Sequence, residues 1–322
     1  MFLWYFFLHF GFYYVKICPE PPKRCVYTSN FGVHGTIAQL VEQMTFNHWV
    51  QGSSPCGPTT NSPRAVRGIF FDFLYLLVYH LVMQKYIDAH CHILSDESIW
   101  PAVACGVGQF VVNATTPDDW GKIVEVSNRD NRICGAIGVH PWYVSGWNDG
   151  VETQMSELLK NNPRLMIGEI GLDKNHPDLD LQESVFMRQL QIAHDFGRIA
   201  HIHCVGAWGK MMDILRGRDL PPAMVFHCFS GAPELAPELV KLGAFFSFGC
   251  GICDEKHIKM RDVVASVPEN RILVESDAPD GAMPDKIPEI VAEIAKLRNV
   301  EFEQMADIIY NNTMGLLNGG KI

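Results

Sequence analysis

The stretch KYIDAHCH, residues 85–92, is a short apolar run ending in two histidines separated by one residue. Seven more runs of this kind follow: QFVVNA (109–114), ICGAIGVH (133–140), LMIGEIGLD (165–173), IAHIHC (199–204), AMVFHCF (223–229), AFFSFG (244–249) and ILVESDA (272–278). Their β-branched and aromatic content is that of strands. Between most of them lie helical patterns. In LQESVFMRQLQIAHDFG (181–197), Val185, Phe186, Leu190, Ile192 and Ala193 make one apolar face, and Gly197 suits the position just past a helix end. Near-continuous apolar strands alternating with amphipathic helices predict a parallel sheet covered by helices. Eight such units predict an α/β fold of the closed (β/α)8 TIM-barrel type, and 83–322 is long enough for one such barrel. No glycine-rich phosphate loop follows the first run, which disfavours a dinucleotide-binding fold.

Barrel enzymes keep their chemistry at the C-terminal ends of the strands. His90 and His92 end the first run. Alternation along a strand points both to one side and Cys91 to the other. His140 ends the third run, Glu169 and Asp173 lie on the fourth, and His201 and His203 on the fifth. His227 is near the end of the sixth, and Glu275 and Asp277 near the end of the eighth. Six of the eight ends thus carry imidazoles or carboxylates. Such groups are costly to bury unless paired or metal-bound. The mixed set suits zinc, manganese, magnesium or a similar divalent ion. It exceeds what one tetrahedral ion needs, and two ions bridged by a carboxylate fit better.

The chain is acidic, with a formal charge of −10, and 48% of its residues are hydrophobic. Nothing global suggests a polyanion-binding surface. Ten cysteines show no disulfide framework. Cys91, Cys204 and Cys228 each follow a histidine in an apolar run and read as small buried hydrophobes of a reducing compartment, the cytoplasm. Cys250 and Cys253 form a C-x-x-C, read as a loop coincidence because no second pair completes a zinc site.

Residues 1–82 are of another kind. They hold 18 of the 35 aromatics, with five Lys/Arg against three Asp/Glu. FLWYFFLHFGFYYV (2–15) and IFFDFLYLLVYHLV (69–82) are apolar but shorter than the roughly 18 residues a spanning helix needs. The first lacks the basic start and the cleavage site of a secretory signal. Between them, GTIAQLVEQMTFNHWVQGSSPCGPT (35–59) resembles a transfer-RNA gene read as protein. Ala-Gln-Leu-Val-Glu-Gln can be encoded by a D-arm sequence, and Gly-Ser-Ser-Pro by a T-arm sequence. The expectation is that residues 1–82 are a non-native or disordered extension from an over-extended reading frame, and that translation starts at Met83. An intact mass counted from Met1 would contradict it.

Taken in order, DAHCH (88–92), GVHP (138–141), GEIGLD (168–173), Q-x-x-V-F-x-R-Q-L (182–190), H-C-x-x-A (203–207), HCFSG (227–231), E-S-D-A-P (275–279) and YNNTMGLL (310–317) resemble the TatD family of metal-dependent hydrolases. The resemblance spans essentially all of 83–322. It implies that His90, His92 and Asp277 hold one ion, that His203 and His227 hold the second, and that Glu169 bridges the two. Asp277 would also orient or deprotonate the attacking water. His140 would touch the scissile phosphate or that water. Asp173 and Glu275 would support ligands or turns from behind, and His201 would pack deeper in the barrel. Trp142 and Phe229 lie beside the site; core packing is the first reading for both, and stacking on a base the second.

The resemblance implies a deoxyribonuclease of exonuclease type that cleaves phosphodiester bonds with water activated by two divalent ions, with DNA as substrate. One departure weakens that substrate. The family pattern H-x-R-D-A is here His203-Cys204-Val205-Gly206-Ala207, without the arginine that would contact phosphate. A small amide, lactone or ester is the alternative substrate. A non-catalytic metal-binding protein is a third reading, disfavoured because every ligand position is filled.

Overall fold

The structure is a computed structural model that describes residues 16–17, 26–27, 85–93 and 96–319. The chain divides into two units, residues 1–84 and 85–322. In the first, Lys16–Ile17 and Val26–Tyr27 pair as two short antiparallel strands. Apart from these, the expectation for residues 1–82 falls outside the described residues.

The second unit is built on eight parallel strands. They are β1 (Tyr86–Cys91), β2 (Val107–Asn113), β3 (Ile133–Ile137), β4 (Met166–Asp173), β5 (Ala200–Val205), β6 (Met224–Phe226), β7 (Ala244–Phe248) and β8 (Ile272–Val274). Each is hydrogen-bonded to its neighbour in chain order. The seam between β1 and β8 is closed by other means. Asp277 N–H donates to His90 O at 3.0 Å, and His92 N–H to Ala278 O at 2.8 Å. Deeper in the seam, Asp88 accepts from Ser276 N–H (2.9 Å) and from the Ser276 hydroxyl (2.6 Å). Burial pushes the Asp88 carboxyl up to about 7, against the pull of these Ser276 bonds.

The helices form the outer layer: α1 (Asp96–Ala104), α2 (Pro117–Arg129), α3 (Asp149–Asn161), α4 (Leu179–Asp195), α5 (Trp208–Leu215), α6 (Ala236–Lys241), α7 (Ile258–Ser266), α8 (Ile287–Arg298) and α9 (Phe302–Leu317). This is the predicted barrel, and one large core cluster joins its strands to the helices. All five predicted apolar residues of α4 are buried, and Gly197 ends it with φ +62°. The same face also buries two glutamines. Gln182 accepts from Asp173 N–H (2.8 Å) and donates to Asp173 O (3.1 Å). Gln189 accepts from Val139 N–H (2.8 Å) and donates to Val139 O (3.0 Å). These amides satisfy backbone groups where β3 and β4 end, next to His140 and Asp173. Among the described residues, no helix is long and apolar enough to cross a membrane.

Three strands end three or four residues sooner than their apolar runs. β3 stops at Ile137, β6 at Phe226 and β8 at Val274. Past β3, Pro141 has no N–H for a ladder. Past β6 and β8, Cys228 (φ +40°) and Asp277 (φ +54°) adopt left-handed backbone that no strand tolerates. Each costs roughly 1–3 kcal/mol. Bonds at the same residues offset this: Cys228 N–H donates to Glu275 Oε1, and Asp277 O accepts from Gly281 N–H at 2.7 Å. His227 and Asp277 lie just past these strand ends.

Candidate metal centre

Glu169, from β4, is the hub. Its two oxygens face different sets of nitrogens. Oε2 lies 3.4 Å from His90 Nε2 and 3.3 Å from His92 Nε2. Oε1 lies 2.7 Å from His227 Nε2, 2.8 Å from His203 Nδ1 and 3.3 Å from His140 Nε2. Asp277 Oδ1 completes the first set, 3.8 Å from His90 Nε2 and 3.7 Å from His92 Nε2. The structure therefore brings all seven predicted residues to one place, although they come from six strand ends.

Local contacts aim each ring. His92 Nδ1 lies 2.8 Å from Asn113 O, an acceptor only, so the proton sits on Nδ1 and leaves Nε2 free to face Glu169. His140 is the opposite case. Its Nδ1 accepts from Trp142 N–H at 3.2 Å, so the neutral ring carries its proton on Nε2 and donates towards Glu169. His203 places Nε2 at 3.6 Å from Asp173 Oδ2, which leaves Nδ1 for the centre. Gly171 lets β5 come this close: at φ +151°, a Cβ there would meet His203 O at 1.9 Å. His90 stacks on His227, with ring centroids 4.1 Å apart.

The electrostatics follow from burial against charge. Burial, with His227 nearby, pushes His90 down to about 4. Burial also opposes a charge on His92, but Asp277 and Glu169 outweigh it and raise His92 to about 10. His227 is likewise opposed by burial and raised to about 9, chiefly by Glu169. Burial disfavours the Glu169 carboxylate, yet the surrounding imidazoles, His227 first, hold it well below the usual range. Asp277 is also kept below it, with His92 overcoming burial. Burial pushes His140 down, so it is neutral at pH 7.

The donor set fits divalent ions. The ligating atoms of His90, His92 and Asp277 all lie within 4.8 Å of one another, as do those of His140, Glu169 and His203. Imidazole nitrogens and carboxylate oxygens that converge in this way are the chemistry of a zinc, manganese or magnesium site.

The supporting residues stand close to their expected places. His201 is buried below the site, its ring 5.9 Å from His90. Glu275 accepts from the Ser247 hydroxyl and from Cys228 N–H, holding the turn that carries His227. Phe229 is core, packed on Phe246 and Trp208. Two expectations need correction. Trp142 is not core but 47% exposed at the rim. Cys228 is only partly buried, with Sγ 3.7 Å from Asp277 Oδ2, because its left-handed backbone swings it towards the site. The second and seventh strands, which seemed to add nothing, supply Asn113 and Ser247. Their signal was a lone polar residue at or near the end of an apolar run. Next to Val205, the position without arginine, Gly206 (φ +65°) leaves room for Lys174: a Cβ there would lie 3.3 Å from Lys174 Cβ. Lys174 makes no ion pair among the described residues.

A carboxylate shared between two clusters of imidazoles, at the C-terminal mouth of an α/β barrel, defines a metal-dependent hydrolase. The chain belongs to the TatD related DNase family, whose profile matches residues 87–318. It is 29% identical to the uncharacterized metal-dependent hydrolase YjjV of Escherichia coli K12, covering 73% of this chain and 98% of that protein. The crystal structure of that TatD homolog superposes with a TM-score of 0.70 at 28% identity, covering 73% of this chain and 99% of the other. The metal-dependent hydrolase MJ1582 of Methanocaldococcus jannaschii is 32% identical over 71% of this chain and 95% of its own. A protein named 3'-5' ssDNA/RNA exonuclease TatD, from Enterobacter lignolyticus, is 29% identical over 57% of this chain and 72% of its own.

Proposed function

We propose that the site holds two divalent ions and hydrolyses phosphodiester bonds, releasing nucleotides from an end of single-stranded nucleic acid. The observation that carries this reading is the division of labour at Glu169. One oxygen faces His90 and His92, and the other faces His203 and His227. His90, His92 and Asp277 would hold one ion, His203 and His227 the other, with Glu169 between. Bound there, the ions would supply Lewis-acid stabilisation of phosphoryl charge and a lowered pKa for water.

The chain's own groups do the rest. Asp277, ionised at neutral pH, orients the attacking water and takes its proton. His140 is neutral with its proton on Nε2, which suits it to donate to a phosphoryl oxygen rather than to serve as a ligand. Asn113 O fixes the tautomer of His92 from behind, and the Asp173 carboxylate lies 3.6 Å from His203 Nε2. Relatives named as 3'-5' exonucleases on single-stranded DNA and RNA support the substrate class. Lys174, beside Gly206, offers a cation at the rim where the family arginine is missing.

The test is cleavage of 3′-labelled single-stranded DNA with magnesium or manganese. Release of labelled mononucleotide by wild type, lost in Glu169→Ala, is expected. Intact substrate with wild type, or full cleavage by Glu169→Ala, defeats the reading. The missing arginine and acidic charge favour a second reading, a small amide, lactone or ester. Turnover of such compounds without nuclease activity would establish it.

A further inference from the structure

The rim of the site carries aromatic surface that the chemistry above does not use. Trp142 and Tyr143 follow His140 directly, and are 47% and 45% exposed. Trp142 is nonetheless held in place. Its indole N–H donates to Asp173 Oδ2 at 2.7 Å. One face stacks on His176, with centroids 4.6 Å apart and planes 16° from parallel. Its ring stands at 89° to His140, with centroids 4.9 Å apart. With one face stacked on His176 and the N–H bonded, 47% of the residue is still open to solvent. An aromatic ring fixed in one rotamer and left open to solvent pays little further entropy when another ring settles on it.

We propose that Trp142, backed by His176 and anchored by Asp173, is the stacking platform for the nucleobase next to the bond being cut. The proposal rests on the phosphodiester reading and narrows it to substrates with an unpaired base. The location supports this. The His140 ring that meets Trp142 edge-on places Nε2 3.3 Å from Glu169, so the platform lies within one nucleotide of the centre. Stacking needs a free base face, which a duplex end offers poorly and a single strand offers readily. It also tolerates any base, as an exonuclease that proceeds along a chain requires.

The test compares oligonucleotides ending in a normal or an abasic 3′ nucleotide. Base stacking predicts that wild type favours the normal end by roughly 5- to 150-fold in kcat/KM, mainly through KM. Trp142→Ala should erase that preference and Trp142→Phe should retain part of it. Equal cleavage of both ends by wild type overturns the proposal. So does an equal fall on both ends in Trp142→Ala, the result expected if the indole only positions Asp173. Titration of the ion-free protein with deoxyadenosine monophosphate provides a readout without turnover. Saturable quenching of tryptophan emission that vanishes in Trp142→Phe supports the platform, and its absence in wild type overturns it. If wild type cuts no phosphodiester yet shows that quenching, the phosphodiester reading fails while the platform stands.

Discussion

Replacing Glu169 by glutamine keeps the shape of the hub and removes its charge. One oxygen of the amide can still accept; the other position becomes an NH2 donor. Whichever way the amide turns, one set of nitrogens loses its acceptor: either His90 and His92, or His203 and His227. Each charge-assisted bond lost is worth about 1.5–3 kcal/mol. For an ion on the losing side, the effect is larger. A unit charge about 4 Å away contributes roughly 4 kcal/mol at an effective dielectric constant near 20, and a divalent ion about twice that. A loss of even 3 kcal/mol lowers affinity by more than about 100-fold. Glu169→Gln is therefore expected to retain at most one ion per chain after dialysis against micromolar metal, and to lose at least about 1,000-fold in kcat/KM. Elemental analysis of the dialysed variant, with circular dichroism to confirm the fold, reads the first effect. Two ions retained per chain, with more than a tenth of wild-type activity, would refute the bridging role.

Gln189→Ala strips Val139 of both its backbone partners; a cost of about 2–4 kcal/mol should appear as a melting temperature lower by about 4–16 °C, with activity falling because Val139 directly precedes His140. His92 and His227 are raised to about 10 and about 9, so at pH 7 an ion must displace their protons: metal binding should release about two protons, measured by calorimetry in buffers of different ionisation enthalpy, and tighten as pH rises towards 9. The stability of the ion-free protein runs the other way. With folded values raised, the contribution of these two rings is full below their ordinary value near 6.5 and fades as pH climbs through about 9 and 10, so its urea midpoint should fall across that window. Lys174→Glu should lower kcat/KM on oligonucleotides about 10-fold, less at high salt, if the rim cation meets the phosphate chain.

The barrel was legible because parallel strands covered on both faces read as apolar runs, and the candidate site groups interrupt those runs only at their ends. What was not legible has specific causes. Gln182 and Gln189 are polar residues on a buried helix face, and periodicity assigns such positions to water. Asp88 and Ser276 close a seam across nearly the whole length of the barrel, a pairing no local pattern reveals. The early ends of β6 and β8 depend on left-handed backbone at Cys228 and Asp277, residue types that do not announce it. Core packing was the first reading for Trp142; its place at the rim is held by Asp173 and His176, which come from a different strand and loop.

The central claim is that one carboxylate bridges two ions. Anomalous diffraction from crystals grown with manganese or zinc addresses it most directly. Two peaks on opposite sides of Glu169, one against His90, His92 and Asp277 and the other against His203 and His227, are the predicted result. A single peak, or a second one placed away from Glu169, would contradict the account.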